Sequence, residues 1–390
     1  MAQIVLDYTP AIHQSAGIAR LTRELARAVL QLNRAHTICL FVMGRATRAT
    51  PIDNVINTRQ LPLCVSPFSD RWLYRLWFRA NIPLPVETWA GHCDLYHATD
   101  FVLPPLRAQT RSVLTIHDLS FERVADAAPP RLLPFLKRVV PQSVKRADHI
   151  VADSHATARD LQALYGVPPE RISVVHSGVE SRFTPYSDTL FMQRRRAYVL
   201  HKYRLGERPF VLTVGTMQRR KNHLRLVQAF AELVRQWRTD AALVIAGGKG
   251  WLYEEVFDAV QQLRLRDRVH FIGFVEEADL PHLYRAAAVF AFPSLYEGFG
   301  LPVLEAMACG VPVVTSNTSS LPEVVGDAGL MVDPLDVDAM AEALARAWHD
   351  AEWRSQAIRK GIARAQMFTW QRAAEQLLDV YHRVLELTHE

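Results

Sequence analysis

Short apolar runs alternate with amphipathic helical stretches along almost the whole chain. IVLDYTP, near the start, is an apolar run ending in turn residues and predicts a buried strand. In SAGIARLTRELARAVLQLN, Ile18, Leu21, Leu25 and Val29 recur on one helical face. HTICLFVMG, DLYHATD, SVLTIHD, HIVADS and ISVVHSG follow as strands, with helices over 131–147 and 155–166 between some of them. From about 184 to 208 the alternation breaks into a polar, basic stretch with prolines at both ends, which predicts an interdomain connection carrying a short helix. It then restarts with FVLTVGT, a helix with Leu226, Phe230, Leu233, Val234 and Trp237 on one side, then ALVIAGG, VHFIGFV, VFAFPS and VPVVTSN. The tail is helical: Met340, Leu344 and Trp348 share a face. Thr369 is placed to cap a last helix whose face carries Trp370, Leu377, Tyr381 and Val384.

Apolar strands alternating with amphipathic helices predict parallel sheets covered on both faces. At 390 residues the chain exceeds what one hydrophobic core holds. The expected division is a first domain over 1–190, a second over 191–368, and a last helix over 369–390. That helix completes the second domain or crosses back onto the first, and the crossing is the expected arrangement. Ligands of open parallel sheets bind at the carboxyl ends of the strands. Two such sheets predict a cleft, and the strand-end segments are where chemistry is sought.

Composition changes this picture little. Hydrophobic residues make up 49% and charged residues 22%, an ordinary globular balance. No window approaches the ~18 uncharged apolar residues of a membrane span. MAQIVLDYTPAIHQ lacks a basic region followed by an apolar run, so it does not read as a signal peptide. Cys39, Cys64, Cys93 and Cys309 are scattered without CxxC, which predicts reduced thiols in a cytosolic protein rather than a disulfide frame or zinc site. The net charge is +5, with arginine clusters at 194–196 and 219–221. Such charge suits nucleic acid, an anionic membrane surface or a phosphorylated small molecule, and solubility alone also accounts for it. The basic residues are dispersed and form no recognition module, which argues against nucleic acid.

The densest chemistry lies in YEGFGLPVLEAMACGVPVV, from position 296. Gly298 and Gly300 permit close approach of the backbone to a ligand, and Pro302 suits the first turn of a helix. The positive end of that helix makes an anion site. Glu297 lies before the helix and Glu305 about one turn into it. Carboxylates accept paired hydrogen bonds from vicinal hydroxyls. The spacing therefore suits two hydroxyl clamps on an extended ligand, a sugar at one end and a ribose at the other, with phosphates over the glycines.

The stretch 297–305 resembles the E-x7-E signature of retaining GT-B glycosyltransferases of family 4, the glycosyltransferases group 1. VGTMQRRKN at 214–222, VIAGGKG at 244–250, FIGFV at 271–275 and LPEVVGDAGLMVDP are also similar to family segments, as are AGIAR at 16–20, TIHDLSF at 115–121 and ADHIVADSHATARDL at 147–161. The GT...RKN form resembles bacterial mannosyl- and rhamnosyltransferases of surface polysaccharide assembly. The resemblance implies a GT-B fold and places Glu305 on the nucleotide ribose and Glu297 on the donor sugar. It places the backbone of Gly298, Phe299, Gly300 and Leu301 around the sugar and distal phosphate, and Lys221 on the diphosphate leaving group. It further implies donor-side positions at Thr216 and Val275, a cleft histidine at His117, and a loop glycine facing the diphosphate at Gly17. Asp118, next to His117, is placed to orient either that histidine or the loop. Family members often carry an arginine where Thr216 stands; Arg220 is expected to supply that charge.

The implied activity is transfer of a sugar, mannose or a related one from a GDP donor, to a saccharide or lipid-linked saccharide, with retention. Front-face attack and a covalent intermediate both preserve the configuration; no nucleophile stands out in the sequence, which favours the first. A UDP-sugar donor and a catalytically silent nucleotide-sugar-binding subunit stay open as alternatives. The glycine context of the E-x7-E argues against an epimerase or phosphorylase. No cofactor or metal is expected: the D-x-D at Asp336, Val337 and Asp338 precedes a helix and reads as its cap. In PFSDRWLYRLWFRANIPLP at 67–85, Arg71, Arg75 and Arg79 recur every four residues among Trp72, Tyr74, Trp77 and Phe78. That pattern suits peripheral contact with the inner membrane surface or a lipid-linked acceptor, and equally an amphipathic helix packed on the first domain.

Overall fold

The computed structural model describes residues 1–14, 17–44, 62–124, 128–251 and 253–387. Ala16 of AGIAR and the end of the 369–390 segment lie outside the described residues. Two compact units emerge. The first comprises Met1–Leu119, Arg131–Gly178 and Thr369–Glu390; the second comprises Ser120–Pro130 and Val179–Phe368.

The first unit is a seven-stranded parallel sheet of β1 (Gln3–Asp7), β2 (Thr37–Met43), β3 (Leu63–Ser66), β4 (Leu95–Ala98), β5 (Arg111–Ile116), β6 (His149–Ala152) and β7 (Ile172–Val174), in the order β3-β2-β1-β4-β5-β6-β7. The strands are apolar on both faces because helices cover both. The helix Gly17–Leu32 buries Leu21, Leu25 and Val29, three of the four residues expected on its face. The last helix, Trp370–Leu385, packs on it through Ala373, Leu377, Tyr381 and Val384, all within one apolar cluster. Tyr381 Oη sits 2.7 Å from His97 Nδ1 on β4, and His97 Nε2 is 2.8 Å from Thr115 Oγ1. Burial holds this imidazole neutral, its pKa lowered to about 3.

The second unit holds a six-stranded parallel sheet and a two-stranded ladder. Its strands are β8 (Phe210–Val214), β9 (Met217–Gln218), β10 (Ala242–Ala246), β11 (Lys249–Trp251), β12 (Val269–Gly273), β13 (Val289–Phe292), β14 (Val313–Ser316) and β15 (Leu330–Val332). The sheet order is β12-β10-β8-β13-β14-β15, with β11 paired to β9. Both units are thus doubly wound, as the resemblance to GT-B enzymes implies.

The boundary expected after position 190 lies instead after Gly178, and Ser120–Pro130 also belongs to the second unit. Val179 N–H donates to the Phe368 carbonyl, and Phe183 sits in the second unit's core with its ring 6.0 Å from that of Tyr284. The polar stretch after 184 is therefore part of the second unit. Its helix, Leu190–Lys202, is tied to Asp279 by Arg195 at 3.1 Å and Lys202 at 2.7 Å. At the junction Gly178 passes so close to residues 369 and 370 that an added Cβ would stand 2.2 Å from the Trp370 nitrogen. The cysteines scattered in sequence are free thiols, but adjacent strands bring the Cys39 and Cys64 sulfurs to 3.0 Å. Among the described residues no helix is long and apolar enough to cross a membrane.

Candidate active site

The chain after β8 turns through Gly215 and Thr216, pairs briefly as β9, and forms a 3₁₀ turn over Arg219–Lys221. Asn222 follows in the left-handed region at φ 59° and opens the helix His223–Trp237. Asn tolerates that conformation better than most residues. Its buried side chain donates from Nδ2 to the carbonyls of Pro293 at 3.0 Å and Pro334 at 2.7 Å. The basic turn is thereby fixed against the loop after β13.

That loop carries Glu297. Leu295 N–H donates to the Arg220 carbonyl at 2.8 Å, and Arg220 Nη1 donates to the Tyr296 carbonyl at 2.6 Å. Arg220 Nη1 also lies 2.9 Å from Glu297 Oε2, while Lys221 Nζ is 2.6 Å from Glu297 Oε1. The Lys221 ammonium stands 4.7 Å over the Phe292 ring. Burial alone would raise the Glu297 carboxyl, but Arg220 and then Lys221 outweigh it and hold the group at about 2. Arg220, Lys221 and Asn222 thus all reach the 293–297 loop. Arg219 pairs with Glu255 at 3.8 Å.

The turn beyond Glu297 is gripped from β14. Thr315 Oγ1 donates to the Phe292 carbonyl, Ser316 Oγ to that of Ser294 and Thr318 Oγ1 to that of Leu295. Glu297 N–H donates to Ser319 Oγ at 2.9 Å, and Ser320 Oγ lies 2.9 Å from the Glu297 carbonyl and 2.7 Å from that of Phe299. Gly300, at φ 113°, then begins the helix Leu301–Ala308 with Pro302 in its first turn. A side chain at Gly300 would be strained and would set its Cβ 2.9 Å from Leu321 Cδ2.

Glu305 is 1% exposed, and its Oε2 accepts from Tyr284 Oη at 2.9 Å. The two acids of the motif therefore hold separate partners. Gly298 and Phe299 are buried, Phe299 packing its ring 5.6 Å from Phe368, and Leu301 is half-buried. Thr216 is exposed; Val275, just past β12, is buried in the core.

Two expected positions belong to the first unit. Gly17 is exposed at the start of its helix. His117 follows β5 and is buried. The carboxylate holding it is Asp153, 2.8 Å from Nδ1 at the end of β6, so of the two roles open to Asp118 the hydrogen bond to His117 is filled by another acid. Its Nε2 lies 2.9 Å from the Thr99 carbonyl, with Asp100 Oδ1 at 3.9 Å. Both nitrogens face acceptors, so both carry protons. Burial opposes that charge, yet Asp153 first and then Asp100 and Asp118 raise the imidazole to about 9.

Asn222, Tyr284, Ser319 and Ser320 were not singled out from the sequence. Five hydroxyls in TSNTSS, directly after an apolar strand, were the available signal. Asp336 Oδ1 accepts from Ala339 N–H at 2.9 Å and caps the helix Val337–His349.

Chemically, two cations on one carboxylate leave an excess positive charge, and the helix beginning at Leu301 adds its positive end. Such a place attracts an anion.

Residues 201–364 match the family model described as glycosyl transferases group 1, and residues 15–183 match glycosyltransferase family 4. Over 74% of this chain and 74% of its counterpart, the sequence is 36% identical to O-antigen chain mannosyltransferase B of Escherichia coli. The chain is a group 1 glycosyltransferase. A second relative of this glycosyltransferase is the D-inositol 3-phosphate glycosyltransferase of Salinispora tropica, 36% identical over 75% of this chain. The chain spans 64% of that protein's length. Among solved structures, HepE of Anabaena in complex with UDP and glucose superposes with a TM-score of 0.75, covering 98% of this glycosyltransferase and all of that chain at 20% identity.

Proposed function

We propose that this glycosyltransferase moves mannose or a related sugar from a GDP donor to a saccharide or lipid-linked saccharide, with retention and without a metal. The observation that carries the reading is Glu297 held between Lys221 and Arg220 beside a helix N-terminus. An arriving diphosphate draws the two cations toward itself. Glu297 is then released to accept hydroxyls of the sugar. As the bond to the sugar breaks, negative charge develops on the leaving diphosphate, where Lys221, Arg220 and the helix end stabilise it. The sugar and distal phosphate lie against the backbone of Gly298, Phe299, Gly300 and Leu301. Glu305, held by Tyr284, takes the ribose, with Thr216 and Val275 also on the donor side.

Two residues of the first unit keep the roles that the resemblance implies, His117 for a hydroxyl of the donor sugar and Gly17 for the diphosphate. As an imidazolium at neutral pH, His117 donates hydrogen bonds and does not act as a base. Mannose is favoured because the O-antigen relative is named a mannosyltransferase. The UDP-sugar reading is favoured by the fold's likeness to a structure holding UDP and glucose. Thermal-shift measurements with GDP, UDP and their sugars separate these donors, since a ligand of the folded state raises its melting point. Stabilisation by UDP-glucose and not GDP-mannose overturns the mannose assignment. Slow release of free sugar from the donor excludes a silent binding subunit. Activity abolished by EDTA and restored by a divalent cation refutes metal independence.

A further inference from the structure

The first unit carries a surface that the transfer chemistry does not use. Helix Asp70–Phe78 and the Arg79 that caps it turn Leu73 and Trp77 into the core. At 3.6 residues per turn, Arg71, Arg75 and Arg79 fall on the opposite side, and all three are exposed. None of them enters an ion pair among the described residues. Trp72 beside the stripe is 45% exposed and stacks on Phe68 at 4.4 Å. The following loop presents Ile82, 48% exposed, and Leu84, whose carbonyl accepts from Trp77 Nε1 at 2.8 Å. The apolar groups are therefore held outward by a packed helix.

The acids between 62 and 91 are Asp70 and Glu87. Glu87 is buried, accepting from the Arg107 N–H and the Thr110 hydroxyl. Asp70 accepts from the Arg71 N–H at the start of the helix. The exposed face is thus net positive and studded with aromatic and aliphatic groups.

We propose that this face docks on an anionic lipid bilayer, the arginines on the headgroups and Phe68, Trp72, Ile82 and Leu84 in the interfacial layer. Arginine with tryptophan on one exposed helical face matches that layer, where charge meets headgroups and the amphipathic ring lies at their level. A second copy of the chain is a poorer occupant, since a twofold contact through this face sets three arginines against three.

The test is co-sedimentation with vesicles of phosphatidylcholine alone or with about a third phosphatidylglycerol. The full chain is used without donor or acceptor, so failure here leaves the transfer reading intact, and failed transfer leaves this surface intact. The full chain should bind only the anionic vesicles and release at about 0.5 M salt. Each arginine near such a surface contributes about fivefold in partitioning. Replacing Arg71, Arg75 and Arg79 together by Gln should therefore weaken binding about a hundredfold. F68S/W72S should weaken it even at low salt. Gln at the exposed Arg264, Arg266 and Arg359 removes equal charge elsewhere and should change binding little. Unchanged melting curves show that the variants fold. Equal loss in both triple variants reduces the effect to net charge and overturns the proposal, as does absence of binding by the unaltered chain. A concentration-dependent dimer abolished by F68S/W72S, without vesicle binding, assigns the face to a second copy and also overturns it.

Discussion

Lys221 Nζ lies 2.6 Å from Glu297 Oε1, joining residues 76 positions apart. Arg220 holds the other carboxylate oxygen at 2.9 Å. Removing one cation therefore leaves the acid a partner, while removing the acid leaves two cations without it. Lys221→Ala should keep its fold and lose about 10²- to 10³-fold in turnover, the usual cost of deleting a group that stabilises developing negative charge. Glu297→Gln should lose turnover too, yet bind nucleoside diphosphate at least as tightly, because the carboxylate no longer competes for the cations. Titration calorimetry with GDP beside single-turnover assays checks both. Full turnover in Lys221→Ala would remove the lysine from the chemistry.

The Glu297 turn depends on a hydroxyl that touches no part of the proposed ligand. Ser320 is fully buried, its Oγ within hydrogen-bond reach of the Glu297 and Phe299 carbonyls. Ser320→Ala should cost about 1–3 kcal/mol of stability, lowering the melting temperature by several degrees. It should also reduce kcat with little change in donor KM, because the turn loosens while Lys221 and Arg220 remain. Ser320→Thr restores the hydroxyl and should recover part of kcat; equal damage from both substitutions would point to packing instead.

The strands were legible where apolar runs were long and bounded by turns: β1, β2, β4–β6, β8, β10 and β12–β14 all arise from such runs. The shorter elements escaped. β3 has only four residues with Val65 exposed, and β9 has two, so neither shows a period. The Lys221–Glu297 contact was not legible because it depends on how β8 and β13 lie side by side, which pairs residues far apart in the chain. The acids were recognised and their partners were not: Asp153, rather than adjacent Asp118, holds His117 because β5 and β6 are neighbours in the sheet. The domain boundary slipped because a polar, basic helix at 190–202 looks like a linker until Asp279 supplies its buried partner.

Glu305 Oε2 accepts a hydrogen bond from Tyr284 Oη at 2.9 Å, and both residues are at most 1% exposed. Tyr284→Phe deletes this bond without changing the ring. The expected cost is about 1–3 kcal/mol. A double-mutant cycle with Glu305→Gln should show coupling of about 1 kcal/mol by denaturant unfolding. If Glu305 also takes the ribose, Tyr284→Phe weakens binding of the nucleoside diphosphate but leaves inorganic diphosphate binding unchanged. Equal weakening of both would place the effect on the phosphate side.

His117 gives the chain a dependence on alkaline pH. Its imidazole is raised from an ordinary 6.5 to about 9 because Asp153, Asp100 and Asp118 outweigh burial. A raised folded-state value means the stabilisation is fully present below pH 6.5, where both states are protonated, and is lost as pH rises through 9. Asp153 and the Thr99 carbonyl then face a ring that can donate only one proton. His117→Gln should lower stability by about 2 kcal/mol at pH 6. The gap between variant and parent should narrow by pH 9.5, since the parent has by then lost the same interaction. Denaturant titrations at the two pH values measure it, and titrating groups remote from His117 cancel because they are common to both proteins. A gap that stays constant from pH 6 to 9.5 would mean that His117 is not charged in the folded state.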